Sequence, residues 1–166
     1  MILSAMRRSL IWAGLLIFID AAVYGSLLFS AMVCPIWLLV SAIRSTIRRP
    51  GWHLALARLG VPVVTLVLVG ANAALQARIA ETNAARIVAA AEQFRVARGV
   101  YPNALADLVP SWFDAPPTTA KYSLAMGSFN YRATDNGNGC MLMWVALPPF
   151  GRKFYDCQSK QWSTLD

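Results

Sequence analysis

Two long apolar blocks occupy most of the first 75 residues, and a soluble domain of this size has no use for either. The first runs from Ser9 to Ile43 with Asp20 as its only charge, and the second from Leu54 to Leu75 with Arg58 alone inside it. About 20 apolar residues cross the roughly 30 Å hydrocarbon layer of a bilayer, so each block is long enough to span one. The expectation is an integral membrane protein with a transmembrane region over residues 1–75.

The first block is too long for one crossing. As straight helix it would extend roughly 52 Å at about 1.5 Å per residue. Arg7 and Arg8 precede it, and Arg44, Arg48 and Arg49 follow it. Short basic loops stay on the cytoplasmic side, which makes the block a hairpin of two minimal spans, near 9–25 and 27–43, reversing around Tyr24, Gly25 and Ser26. A third span over 54–75 carries the chain out again, with Pro62 close to the start of the membrane helix and Arg58 snorkelling to the inner headgroups. The alternative is two spans, with the end of the first block lying at an interface. A cleaved signal peptide fits Met1 to Ala22 poorly, because the apolar sequence continues far beyond the roughly 7–15 residues of a signal core.

The net charge of +7 does not describe a nucleic-acid groove. Residues 1–75 hold six arginines and one acid, whereas residues 76–166 hold nine basic residues against seven acids. Most of the excess therefore belongs to the loop between spans, where anionic lipid headgroups are the nearest partners, and no nucleic-acid partner is expected.

The composition changes near Gln76. Ala-rich, charged sequence continues without Gly or Pro to Gly99, so the third span is expected to run on as one helix to residue 98. Ala80, Ala84, Ile87, Val88, Ala91 and Phe94 recur at helical spacing and form an apolar stripe. Gly99 supplies a left-handed cap, and Pro102 holds Tyr101 extended. A short helix follows through Leu105 and Leu108, then a loop containing Pro116 and Pro117. Strands are predicted over 121–126, 129–134, 140–147, 153–157 and 161–165. Tight turns between them make an antiparallel meander whose face lies on the helix stripe. The fold class is α+β, with the sheet inside 121–165.

The stretch Ala89-Ala90-Ala91-Glu92-Gln93-Phe94-Arg95-Val96-Ala97-Arg98-Gly99-Val100-Tyr101-Pro102, followed by Ala104-Leu105-Ala106-Asp107-Leu108-Val109-Pro110, resembles the end of the long helix of type IV pilins and type II secretion pseudopilins, with its Gly-x-Tyr-Pro exit. The resemblance implies a membrane-rooted helix packed on an antiparallel sheet, a pilin-like domain over 76–166, and an envelope location with that domain periplasmic. The chain departs from the pilin pattern at the processing site. Pilins are cut after a glycine and carry glutamate at the fifth mature position; here Gly60 is followed by Val61, Pro62, Val63, Val64 and Thr65. An uncut, anchored protein is expected.

Cys34 falls in an apolar span and reads as a packed residue, while Cys140 and Cys157 bracket predicted strands on the outer side. In an oxidising compartment these two form a staple worth about 3 kcal/mol in the chain-entropy picture. In a reducing one they stay free thiols, and a metal pair has too few ligands. His53 is the only histidine and sits beside Trp52, so the outer region has no His-based triad; no catalytic, metal or cofactor site is expected. Asp20, the one intramembrane charge, is expected to reach the outer headgroups near the hairpin turn. Asp135 to Gly139 reads as a hairpin turn, since its spacing fits no calcium loop. Trp112, Phe113, Phe150 and Trp162 are the candidate partner surface, some of them needed to fill a small core. The expected function is non-enzymatic: an inner-membrane protein whose outer domain docks on a pilus, secretion or other envelope machine. The alternative is an anchored immunity or binding protein that neutralises a partner protein.

Overall fold

A computed structural model describes residues 2–24, 27–48, 51–119, 128–147 and 151–165. The architecture is α+β, with long apolar helices near the N-terminus followed by a four-stranded antiparallel sheet. Helix α1 (Ile2–Ile17) continues into a π-helical segment (Phe18–Tyr24); α2 spans Leu28–Arg48 and α3 spans Trp52–Arg98. A 3-10 turn at Leu105–Leu108 precedes strands β1 (Asn130–Thr134), β2 (Gly139–Leu147), β3 (Gly151–Asp156) and β4 (Gln161–Leu165). Two compact units divide within α3, one built on the chain up to Ala74 and the other on the chain from Leu75.

In the first unit each helix buries one seam. Ala13, Leu16 and Asp20 form the seam of α1 and the π segment, Ser30, Cys34 and Ser41 that of α2, and Pro62, Thr65 and Val69 that of α3. The spacing of three, four or seven keeps each set on one helix face. Pro35 and Pro62 lie inside their helices. Helix α3, with Pro62 ten residues inside it, starts at Trp52, within two residues of the expected span start at residue 54. Its first turn forms on the Gly51 carbonyl, which accepts from the Leu54 and Ala55 amides at 2.9 and 3.2 Å. Thr65 Oγ1 donates to the Val61 carbonyl at 2.9 Å, an internal satisfaction that lets a hydroxyl sit in an apolar helix. The expected reversal at Gly25 and Ser26 lies outside the described residues.

In the second unit the expected stripe is the buried one. Ala80, Ala84, Ile87, Ala90, Ala91 and Phe94 are buried, with Val88 half-buried beside them. Alanines predominate there, and Ile87 and Phe94 supply the bulk that meets the core side chains of the sheet. The sheet runs β1-β2-β3-β4 with every neighbour antiparallel. One row across it, Tyr131, Leu142, Tyr155 and Trp162, is set by the register of all four strands. Three of these residues pack in or against the core, and Trp162 lies on the edge strand. The predicted strand over 121–126 lies outside the described residues; the other four strands match their expected bounds to within two residues.

Helix α3 stops where Gly99, at φ +79, turns the chain, its amide donating to the Arg95 carbonyl at 2.7 Å. The exit then docks on the β1–β2 turn, a 3-10 turn at Asp135–Gly137. The Tyr101 amide donates to the Gly137 carbonyl at 2.8 Å. Gly137 has φ +89, and a Cβ placed there would come within 3.2 Å of Val100 Cβ. Both the backbone angle and the close approach require glycine. Gly137→Ala should lower the stability of the second unit by about 1–2 kcal/mol, read from the loss of near-UV dichroism on heating; an unchanged midpoint would remove this contact as an anchor.

Candidate functional site

Asp20 is the one acid before Glu81, and the fold gives it a structural partner rather than a headgroup. Its side chain is fully buried. One carboxylate oxygen accepts from the Phe29 amide at 3.1 Å and the other from the Ser30 amide. These are orphan donors at the start of α2, where the helix dipole also favours a negative charge. The expectation that Asp20 reaches outward is corrected: it ties the end of the first helix to the beginning of the second.

Cys140 and Cys157 form a disulfide, with Cα atoms 5.0 Å apart and both residues buried. The Cys157 amide donates to the Cys140 carbonyl at 2.9 Å, so the bond joins the start of β2 to the chain leaving β3. Cys34 is free and buried.

At the helix exit a hydroxyl relay closes the corner. Tyr101 Oη donates to Glu92 Oε1 at 2.7 Å and accepts from Arg95 Nη1 at 3.0 Å. Burial, reinforced by the bond to Glu92, pushes the Tyr101 hydroxyl above its ordinary range, and the bond to Tyr101 does the same for the Arg95 guanidinium. The group is a cement for the Gly-x-Tyr-Pro corner, with every member satisfied by another. Burial likewise drives the Tyr131 hydroxyl far above the ordinary phenol range.

The four candidate partner aromatics separate. Phe113 is a core residue, 9% exposed, with the Arg86 guanidinium 5.5 Å from its ring centre. Its place on a partner surface is corrected, because the loop after Pro110 folds it back onto α3. Trp112 is half-buried; its indole N–H donates to Gln93 Oε1 at 2.9 Å, and its ring lies 5.5 Å from Phe94. Trp162 remains 48% exposed on β4, stacked against Tyr155 at 4.6 Å and Trp144 at 5.6 Å. Phe150 lies outside the described residues.

Trp162 sits on a strand with all five residues exposed and no charge or proline among them. Such an edge offers unpaired backbone groups to another strand. A cleft of about 510 Å³ opens between α3 and the following loop, lined by Asn83, Arg86, Trp112, Asp114 and Pro116 among others. The Asn83 amide closes one wall by donating to the Thr118 carbonyl at 2.8 Å. The Asp135 carboxylate is engaged by the Gln158 side-chain amide, as suits a residue of a hairpin turn. Among the described residues no group of three or more metal-ligating side chains converges. His53 stacks on Trp52, ring centres 3.5 Å apart, at the start of α3. The sequence could not reveal the tie from Asp20, because its donors lie nine and ten residues away, in the next helix. No family model, curated protein or solved structure matches the chain.

Removing the carboxylate separates a cap from a bystander. Asp20→Ala should lower the thermal stability of the detergent-solubilised helices by about 1–2 kcal/mol, and Asp20→Asn by less, since an amide oxygen still accepts. Equal stability of Asp20→Ala and the parent protein would show that the tie carries no weight.

Proposed function

We propose that this is a multi-span protein of the bacterial inner membrane that presents a pilin-like domain in the periplasm as a docking or assembly component of an envelope machine. The observation that carries the membrane part is an inverted distribution of polarity. In the first unit Asp20, Ser30, Ser41 and Thr65 are buried, while Ile11, Met32, Ile36, Leu39, Val64 and Val67 face outward. Water would reverse that arrangement; hydrocarbon favours it, since helices there associate through small and polar residues. Two helices, over Leu28–Ile47 and within Trp52–Arg98, are long and apolar enough to cross a bilayer. The first helix reaches a comparable length only together with its π segment, Ile2 to Tyr24. It supplies the remaining span of the three in the proposal.

The docking part rests on the second unit. A helix packed on a four-stranded antiparallel meander, entered through a Gly-x-Tyr-Pro corner, is the architecture expected of a pilin-like domain. An exposed Trp162 on an uncharged edge strand gives it a surface with the chemistry of protein recognition. The side-chain hydrogen bonds at the exit, around Tyr101, satisfy one another and leave no activated nucleophile or base there.

Alkaline phosphatase fused after Asp166 should be active and phosphatase fused after Arg49 inactive, placing the two ends of the third span on opposite sides. Activity at Arg49 would contradict the hairpin. A photo-crosslinking residue at Ser163 should capture one discrete envelope protein in cells, whereas one at Leu68 should capture none. Failure to capture any protein from β4 would contradict the docking role.

A further inference from the structure

Four arginines gather at one end of the first unit with no acid to meet them. Helix α1 carries Arg7 and Arg8 near its start, α2 carries Arg44 near its end, and α3 carries Arg58 near its start. Asp20 bonds to the amides of residues 29 and 30, which fixes the levels of α1 and α2. Counting back along both helices from that tie, Arg7 and Arg8 fall within about one helical turn of Arg44. Three residues separate α2 from α3, so the first turns of α3 start at the same end. Gly70 lies 3.8 Å from the Leu27 side chain, which sets Arg58 about one and a half turns nearer the turn end than Arg44.

Arg7, Arg8 and Arg44 are exposed, and Arg58 is half-buried. The only acid before Glu81 is Asp20, spent at the opposite end of the hairpin. Among the described residues the single ion pair joins Lys153 and Glu81, so none of these four arginines has a carboxylate partner. Exposed Trp52, stacked on His53, adds an aromatic anchor at that end, of the kind found at bilayer interfaces.

Resting on the membrane reading above, we propose that this end binds the headgroup of an anionic phospholipid, its phosphate diester meeting the Arg7, Arg8 and Arg44 guanidiniums while its acyl chains lie along the outward apolar faces of α1 and α2. Guanidinium groups present forked donors that suit phosphate oxygens. Arg58, lower in the apolar layer, reaches the same headgroups by extending its stem.

The test uses the full chain, delipidated in neutral detergent, and then titrated with phosphatidylglycerol or phosphatidylcholine while bound lipids are counted by native mass spectrometry. Insertion into vesicles of phosphatidylcholine alone is measured in parallel by flotation. The proposal expects flotation together with retention of phosphatidylglycerol at least about tenfold tighter than of phosphatidylcholine. It expects a loss of about fivefold for each arginine removed in Arg7→Gln, Arg8→Gln and Arg44→Gln, with Arg44→Lys between Arg44→Gln and the parent because it keeps the charge without the fork. Arg98→Gln, in the second unit, should change nothing, and unchanged far-UV dichroism in the Gln variants keeps folding out of the comparison. Flotation with equal retention of both lipids would overturn this proposal and leave the membrane reading standing. Failure to float would overturn both.

Discussion

One helix of 47 residues, α3, changes which of its residues are apolar and outward along its length, and the rest of the fold is organised around that change. Over its first half the outward residues are Leu56, Val63, Val64, Val67 and Leu68, and the buried ones include Thr65 and Val69. Past Gln76 the pattern inverts: Ala80, Ala84, Ile87, Ala91 and Phe94 are buried, while Glu81, Arg86, Arg95 and Arg98 are exposed. An uninterrupted ladder of backbone hydrogen bonds runs through the inversion. A backbone that satisfies its own polar groups can pass between hydrocarbon and water without a break, which neither a loop nor a sheet edge can do.

Each half of α3 then gains a stabilising partner of a different kind. In the first unit apolar contact alone drives little association if lipid is the solvent, so a carboxylate capping the next helix and a seam of small polar residues define the hairpin. In the second unit the sheet buries the apolar stripe, and three devices hold it in register. The Cys140–Cys157 disulfide joins β2 to the end of β3, the Gly137 turn receives the helix exit, and the pair of Lys153 with Glu81 links β3 to α3. The ion pair is largely exposed and so contributes little; burial of the stripe and the disulfide dominate.

What could be read in the sequence was whatever depends on periodicity and turn chemistry. The stripe from Ala80 to Phe94, the cap at Gly99 and four strands separated by glycine-rich turns all follow from local rules. The cysteine pair was legible because its members bracket two neighbouring strands. Asp20 was not, since a cap reaching residues 29 and 30 depends on the geometry of a π segment that no local pattern announces. Phe113 and Trp162 are both aromatic residues in polar surroundings, and only the tertiary fold decides that the first goes inside and the second remains half outside. Pro62 argues locally against a helix running through it, yet α3 continues on both sides of it, as a helix supported by its neighbours can.

The central claim is that α3 leaves hydrocarbon for water near Gln76 without ceasing to be a helix. Nitroxide labels placed one at a time at Val63, Val67, Leu68, Ala85, Ala89 and Val96, in protein reconstituted into bilayers, report this through their relative collision rates with oxygen and with a water-soluble nickel chelate. The account predicts oxygen-dominated relaxation at the first three positions and nickel-dominated relaxation at the last three, with the change falling between Leu68 and Ala85. Nickel access at Val63, Val67 and Leu68 equal to that at Val96 would contradict it.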